Sequence, residues 1–502
     1  MAKLKPGGSC AIESSRDQAF AALQSEPLGL LYLPVELLGS IVALLEQSSL
    51  RALALTCKAT KTFASKALYA TYANRDAPSK AAFQLFLRTL CENADLAAMV
   101  KGLDIRGWRS EFEIATGLSW PGVTKTREND KVRSKRIGPI FVSTNRAAAS
   151  VPKPLKLFEE TAVKIGLIPQ YSSPSVPALK KTVVVGSTMK KDEDFIRLLR
   201  HNVEDAQVVL MLALLPNLTR LHIDGMSAYP TLDWHHFLCK CGTGLRSLRK
   251  LGICGQLPHH GGSIHTTTMS FLECIPDLEG LYLSHIKVET PRQVTSLMSK
   301  KRLRDFVAVE CQIGRQMLRN MLSGHRLDMF QYKPAVGNIT ASQEDKFAED
   351  HIVDCLKDSQ QSLRELTLYS TRPSKSPRLS QFGNLETLEM PYQHGFLDVT
   401  SEYNLQSIAN VFCKRIPSAL SILTLRYVQP SEDVSVAMEV LAGLKHEGKF
   451  PELKTIRLNF CRFSWSPWFP PILHDDMVQM AVDTFGEVLE KAGLRLELAQ
   501  TD

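Results

Sequence analysis

The sequence predicts an α/β chain in two parts: an N-terminal module of three short helices, then an irregular solenoid with parallel strands on one face and helices on the other. Two observations predict it. Residues 33–69 carry apolar side chains at helical spacing in three short runs, and beyond residue 200 one apolar phrase recurs at intervals that hold a strand and a helix. A chain of 502 residues has room for three ordinary domains, but one long array fits that length equally well. With 44% apolar and 22% charged residues it is a core-forming chain, which excludes collagen-like, wholly disordered and disulfide-scaffold classes.

In the N-terminal module, Leu33-Pro34 precedes a helical pattern of Leu37, Leu38, Ile41, Val42, Leu44 and Leu45. Pro34 suits a first turn, where its missing N–H costs nothing, and Glu36 favours the positive end of the helix dipole. Ser48 or Ser49 is positioned to cap a second helix carrying Leu50, Leu53, Ala54 and Cys57, and a third holds Phe63, Ala67 and Leu68 before Tyr69. So small a unit falls below the roughly 40 residues at which a lone core suffices, so its leucines call for a partner surface.

The array is written in the phrase apolar-x-x-apolar-x-apolar. It occurs at Leu218-Leu221-Ile223, Leu248-Leu251-Ile253, Leu278-Leu281-Leu283, Leu303-Phe306-Ala308, Leu327-Phe330-Tyr332, Leu363-Leu366-Leu368, Leu385-Leu388-Met390, Leu420-Leu423-Leu425 and Leu453-Ile456-Leu458. Successive starts lie 30, 30, 25, 24, 36, 22, 35 and 33 residues apart. Helical spacing at 205–215, 314–323, 343–357, 405–415, 434–445 and 477–491 supplies the intervening helices, and Leu494-x-Leu496-x-Leu498 makes a last strand. An earlier copy, Val100-Leu103-Ile105, follows the helical stretch 81–91, so the array begins within 78–106 and is interrupted by an insertion at 107–200 before resuming over 201–502.

The charge is localised. Of the net +8, residues 121–156 contribute nine basic and two acidic side chains, leaving +1 for the rest of the chain. That segment, with Pro121, Pro139, Pro152 and Pro154, reads as a basic, partly disordered insertion, and its run Lys131 to Arg136 resembles a nuclear-import patch. With the array near neutral, a nucleic-acid partner is not expected. Residues 1–27 read as a flexible N-terminus without a secretory h-region, and the most apolar window, 28–45, contains Glu36, which at a membrane centre would cost about 3 kcal/mol. Eleven unclustered cysteines point to reduced thiols, and the expected compartment is cytoplasmic or nuclear, with no membrane.

Enzyme templates find no match: Gly-x-x-x-x-Gly-Lys-Ser/Thr, Gly-x-Ser-x-Gly and His-Glu-x-x-His are all missing from the sequence. His235, His236, Cys239, Cys241, Cys254, His259, His260 and His265 contain enough ligands for zinc, but Cys-x-Cys departs from the usual Cys-x2-4-Cys pair, so no metal or cofactor is assigned.

The order Leu33-Pro34-x-Glu36-Leu37-Leu38, Ser49-Leu50, Leu55-Thr56-Cys57-Lys58 and Leu68-Tyr69 resembles the F-box, covering 28–72. It departs at Ala59 and Thr60, where family members often place Leu, Trp or Phe. The irregular phrases resemble leucine-rich repeats, and the combination is similar to the F-box substrate receptors numerous in filamentous fungi. The resemblance implies a non-catalytic subunit of an SCF-type ubiquitin ligase that docks on the Skp adaptor, and through it a cullin scaffold, by Leu33, Pro34, Leu37, Ile41, Leu50 and Leu53, while the repeats bind an unidentified protein substrate for ubiquitin-dependent degradation. In such repeats the residues flanking the strand leucines face the concave side, here Arg220, His222, Lys250, Tyr282, Tyr369, Glu389, Arg426, Arg457 and Asn459. The competing expectation is a repeat scaffold without ligase coupling.

Overall fold

The computed structural model of the chain describes residues 33–74, 81–106, 153–169, 187–224, 232–240, 245–255, 270–288, 301–335, 349–369, 379–392, 405–428, 432–460 and 474–500, and divides into two compact units, 1–72 and 73–502.

The first unit consists of α1 (Val35–Ala43), α2 (Gln47–Thr56) and α3 (Lys58–Ala70), followed by the short strand β1 (Thr71–Ala73). Pro34 is the cap residue of α1, and its carbonyl accepts the first helical bond from the Leu38 amide at 3.0 Å. Helix α2 starts two or three residues earlier than its serines suggest: Glu46 is the cap, and its carbonyl takes the Leu50 amide at 2.9 Å. Leu38, Val42 and Leu50 form the core, with Leu45, Leu53, Phe63, Ala67 and Leu68 packed against them. Where an apolar residue was expected after Cys57-Lys58, Thr60 is buried instead. Its Oγ1 lies 3.0 Å from the carbonyls of both Leu53 and Cys57 and 2.9 Å from Thr56 Oγ1, so one hydroxyl ties the end of α2 to the start of α3. A buried hydroxyl held this way replaces an apolar contact without an unsatisfied donor.

The second unit is a solenoid-like α/β array. Its strands are β2 (Gly102–Arg106), β3 (Arg220–Asp224), β4 (Lys250–Cys254), β5 (Gly280–Ser284), β6 (Lys287–Val288), β7 (Asp305–Ile313), β8 (Met329–Pro334), β9 (Glu365–Leu368), β10 (Thr387–Pro391), β11 (Ile422–Val428), β12 (Thr455–Phe460) and β13 (Arg495–Gln500). From β2 to β13 each pairs in parallel with the next in chain order, except that β6 pairs only with the far end of β7, so β5 neighbours β7 directly. The registers superpose the phrases: Leu221, Leu251, Leu281, Phe306, Phe330, Leu366, Leu388, Leu423 and Ile456 form one continuous row. Every apolar phrase residue from Val100 to Leu458 is at most 3% exposed. Leu496 and Leu498 of β13 are half-buried.

The helical layer comprises α4 (Ala81–Glu92), α5 (Ala94–Met99), α6 (Lys153–Lys164), α7 (Ser187–Arg200), α8 (Glu204–Leu214), α9 (Trp234–Lys240), α10 (Arg315–Leu322), α11 (Glu349–Cys355), α12 (Leu405–Arg415), α13 (Glu432–His446) and α14 (His474–Lys491). Within the span 107–200, expected as an insertion, the described residues form helices α6 and α7, which bury Leu155, Phe158 and Ala162 from one and Phe195, Leu198 and Leu199 from the other. Gln84 of α4 and Gln207 of α8 both donate to Asn202 Oδ1, at 2.8 and 2.7 Å, from a position whose φ of 60° asparagine tolerates well. Helix α8 is accordingly buried all round. The basic run Lys131 to Arg136 lies outside the described residues.

The array has one repeating backbone device. The carbonyl just before a strand accepts two consecutive amides from the start of the next: Lys101 from Thr219 and Arg220, Thr219 from Arg249 and Lys250, Arg249 from Glu279 and Gly280, and onward through Glu279, Arg304, Asp328, Arg364, Glu386 and Ser421, at 2.7 to 3.2 Å. No helix among the described residues is long and apolar enough to cross a membrane.

Replacing Leu366 by Ala, in the middle of the row, should cost about 2–5 kcal/mol, whereas Leu496→Ala should cost clearly less because that side chain is only half-buried. Urea unfolding followed by far-ultraviolet circular dichroism checks both, and equal losses would show that the row is not continuous.

Candidate functional site

Side chains alternate along each strand, so the face opposite the leucines carries three rows of residues, one at each outward position. At about 4.8 Å per strand the span from β3 to β12 is roughly 38 Å, which with strands about 16 Å long gives an open face of about 600 Å². That approaches the ~800 Å² each partner contributes to a standard interface.

The expected residues gather into two groups. In the first, Lys250 Nζ lies 3.0 Å and Tyr282 Oη 2.9 Å from the same oxygen of Asp305, and the ammonium also stands 5.9 Å from the Tyr282 ring centroid. Three adjacent strands, β4, β5 and β7, bring these together, and Asp305, which sequence reasoning missed, is its hub. Asp305 is the more enclosed partner, its side chain 17% exposed against 48% for Lys250. The ring of Tyr282 lies flat because Gly280 leaves room: a Cβ there would sit 2.9 Å from Tyr282 Cε2. Likewise a Cβ on Gly252 would meet the His222 imidazole at 2.4 Å, so glycine on β4 is what lets His222 of β3 lean across.

The second group spans β7 to β11. Arg426 donates through Nε to Glu389 and stacks on Tyr369, its guanidinium carbon 4.3 Å from the ring centroid. Thr367 Oγ1 approaches the other Glu389 oxygen at 3.4 Å, and Gln331 donates to Tyr369 Oη at 3.3 Å. Lys333 stands 5.8 Å from the same ring and pairs with Glu310 at 2.9 Å. Glu310 sits where the β7–β8 register shifts, at a φ of 54°, and this bulge turns its carboxylate towards Lys333. His285, at a φ of 53°, places Nδ1 3.1 Å from Glu310 Oε2 without the alignment of a hydrogen bond. Two adjacent non-glycine residues in the left-handed region store strain of order 1–3 kcal/mol each, the kind found where a surface is shaped for a ligand.

The remaining expected residues do not join these groups. Arg220 is exposed at the start of β3. Arg457 pairs with Glu497 of β13 at 2.6 Å, and the guanidinium holds that carboxyl below the usual glutamate range. Asn459, next to Leu458 on β12, is buried.

On the first unit, Leu33, Pro34, Leu37 and Ile41 are exposed, as are Val35, Leu44 and Leu55. Leu37, Ile41 and Leu44 recur on one side of α1, while Leu38 and Val42 on the other side supply the core. Leu50 is likewise corrected to a core residue and Leu53 is half-buried against it. Of the candidate metal ligands, His235 and Cys239 come together with Cys274, whereas Cys241, His259, His260 and His265 lie outside the described residues.

No protein-family model and no curated protein matches the chain. Among solved structures it is similar to a Bacteroides fragilis protein at 11% identity and a TM-score of 0.24, over 59% of this chain and 60% of that one. The match spans less than two thirds of that protein and carries no argument about function.

Burial, and then the bond to Asp305, raise the Tyr282 phenol, while the Asp305 bond chiefly raises the Lys250 ammonium. Both groups have folded values above their unfolded ones, so the stability they contribute is present below about pH 10 and is lost as pH rises through the shifted values. The difference between the alkaline phenolate absorbance titrations of wild type and Tyr282→Phe should show one late-ionising tyrosine. Asp305→Asn should move that step down part of the way, leaving the larger contribution of burial; an unmoved step would break the link to Asp305.

Proposed function

We propose that the chain is a substrate-recognition subunit of an SCF-type cullin–RING ubiquitin ligase. The first unit acts as an F-box that docks on the Skp adaptor, and through it on a cullin scaffold; the leucine-rich-repeat array holds a protein target. The observation that carries this reading is the outer surface of the first unit, where Leu33, Val35, Leu37, Ile41, Leu44 and Leu55 stand 36–87% exposed over a core of Leu38, Val42 and Leu50. Large aliphatic side chains concentrated on so small a unit mark an interaction surface. They coincide with the positions that the F-box resemblance assigns to adaptor contact, with Val35, Leu44 and Leu55 added and Leu50 and Leu53 moved to support.

The array supports the second half of the reading. Its open face presents Tyr282, Tyr369, Arg426 and Lys250 on rigid strands, and Tyr and Arg are the residue types that anchor protein interfaces. The chain performs no chemistry in this scheme. It raises the effective concentration of a target lysine near a ubiquitin-charged enzyme, which makes transfer nearly intramolecular. The work is placed in the cytosol or nucleus, where that machinery acts.

Purified chain should bind a Skp adaptor, and the double substitution Leu37→Ala with Ile41→Ala should weaken binding by about 30-fold or more, the effect of losing about 2 kcal/mol of anchor contact. Thermal unfolding should stay nearly unchanged, because both side chains are solvent-facing. Calorimetric titration and a melt check the pair. A wild-type chain that does not bind the adaptor would sink the ligase reading and leave the array as an uncoupled scaffold.

A further inference from the structure

His235 and Cys239 lie one turn apart on α9, and Cys274 ends the 3-10 helix Ser270–Cys274 of the next repeat. Their ligand atoms all lie within 4.8 Å of one another, and among the described residues no other group of three His, Cys or carboxylate side chains does so. We propose that His235, Cys239 and Cys274 bind one zinc ion, which clips two successive repeats together in the helical layer.

The donor set selects the metal. Two thiolates and an imidazole suit a borderline-soft cation such as zinc and are poor ligands for calcium or magnesium. Tetrahedral zinc, with bonds of about 2.3 Å to sulfur and 2.0 Å to nitrogen, places its ligand atoms about 3.4–3.8 Å apart. The three atoms therefore need to close by no more than about 1.4 Å, and Cys239, being exposed, has room to turn. Glu273 Oε2 lies 2.7 Å from His235 Nε2. A carboxylate on a ring nitrogen restrains the ring, the kind of outer support that a ligating histidine carries. A disulfide between Cys239 and Cys274 would leave that oriented imidazole without a role. The two backbones are already held in place, since Trp234 and Phe271, both buried, pack with ring centroids 5.6 Å apart. The exposure of Cys239 leaves the fourth position to solvent. An ion there closes the chain between residues 239 and 274, and a clip across so long a connection limits the unfolded chain more than the folded one.

The test uses the full chain, expressed with zinc in the medium and purified without chelator. Elemental analysis should find about one zinc per chain. After stripping, added zinc should slow alkylation of Cys239 and Cys274 by at least about tenfold, read by peptide mass mapping, because a coordinated thiolate is no longer a free nucleophile. The exposed Cys57 and Cys413 serve as controls and should react at an unchanged rate. Cobalt added in place of zinc should give thiolate-to-metal charge-transfer bands, and the Cys239→Ser, Cys274→Ser variant should lose both metal and bands. The labelling arm needs no variant, so a misfolded double mutant does not blunt the test. Chain without stoichiometric zinc, zinc that leaves the two thiols reacting at the stripped rate, or a Cys239–Cys274 disulfide in the non-reduced digest would each overturn the proposal.

Discussion

The double acceptance at the start of each strand is the constraint on which the array depends. One carbonyl takes two successive amides of the next repeat, from Lys101 through Ser421, and each such pair sets both the spacing and the register of the strand that follows. Because a one-residue slip would turn every strand leucine to the open face, this pinning decides which side chains are core. It also explains why repeats of 22 to 36 residues stack without loss of order. Only the strand start has to arrive at a fixed place; the excess length goes into the helix and its connections.

The same row of residues carries a second device. From Arg249 the side chains alternate in sign, Arg249, Glu279, Arg304, Asp328, Arg364 and Glu386, and neighbours pair at 3.8 Å for Arg249–Glu279, 3.8 Å for Arg304–Asp328 and 3.5 Å for Arg364–Glu386. All are well exposed, and such pairs contribute at most about 1 kcal/mol each. Their value lies in discrimination: a stacking error that skipped one repeat would set like charges side by side on adjacent strands. The leucines cannot make that distinction, since every repeat offers nearly the same apolar edge.

The array was legible because its signal is periodic. A phrase with fixed internal spacing marks a strand whatever the distance to the next one, and the helices predicted at 205–215, 314–323, 405–415 and 434–445 fall within two residues of those observed. Helices α6 and α7 were hidden because Pro152, Pro154 and a basic, weakly periodic flank made 107–200 read as one insertion, although Leu155, Phe158 and Ala162 already had helical spacing. Site residues were less legible. Asp305 opens its strand as the residue before Phe306, but nothing local distinguishes it from Arg304; its importance comes from Tyr282 and Lys250 on other strands. Cys274 escaped for the same reason, being separated from Cys239 by more than a whole repeat. Leu50 shows the converse, since residue type and spacing alone do not tell a contact from a core position.

The neutrality of the array bears on what its open face can recognise. In the first group an acid lies lower, Asp305, and the cation and phenol it holds are turned towards solvent; in the second, Glu389 fixes Arg426 against Tyr369. Paired in this way the charges cancel at a distance, so they exert little long-range pull on a partner. At close range they act differently. Side chains already fixed by a neighbour lose little freedom when a partner arrives, and a partner must match their hydrogen-bonding directions or leave them unsatisfied. Such a face discriminates by shape and bond geometry rather than by net charge. That property follows from the glycines at 252 and 280 and the bulge at Glu310 as much as from the polar residues they position.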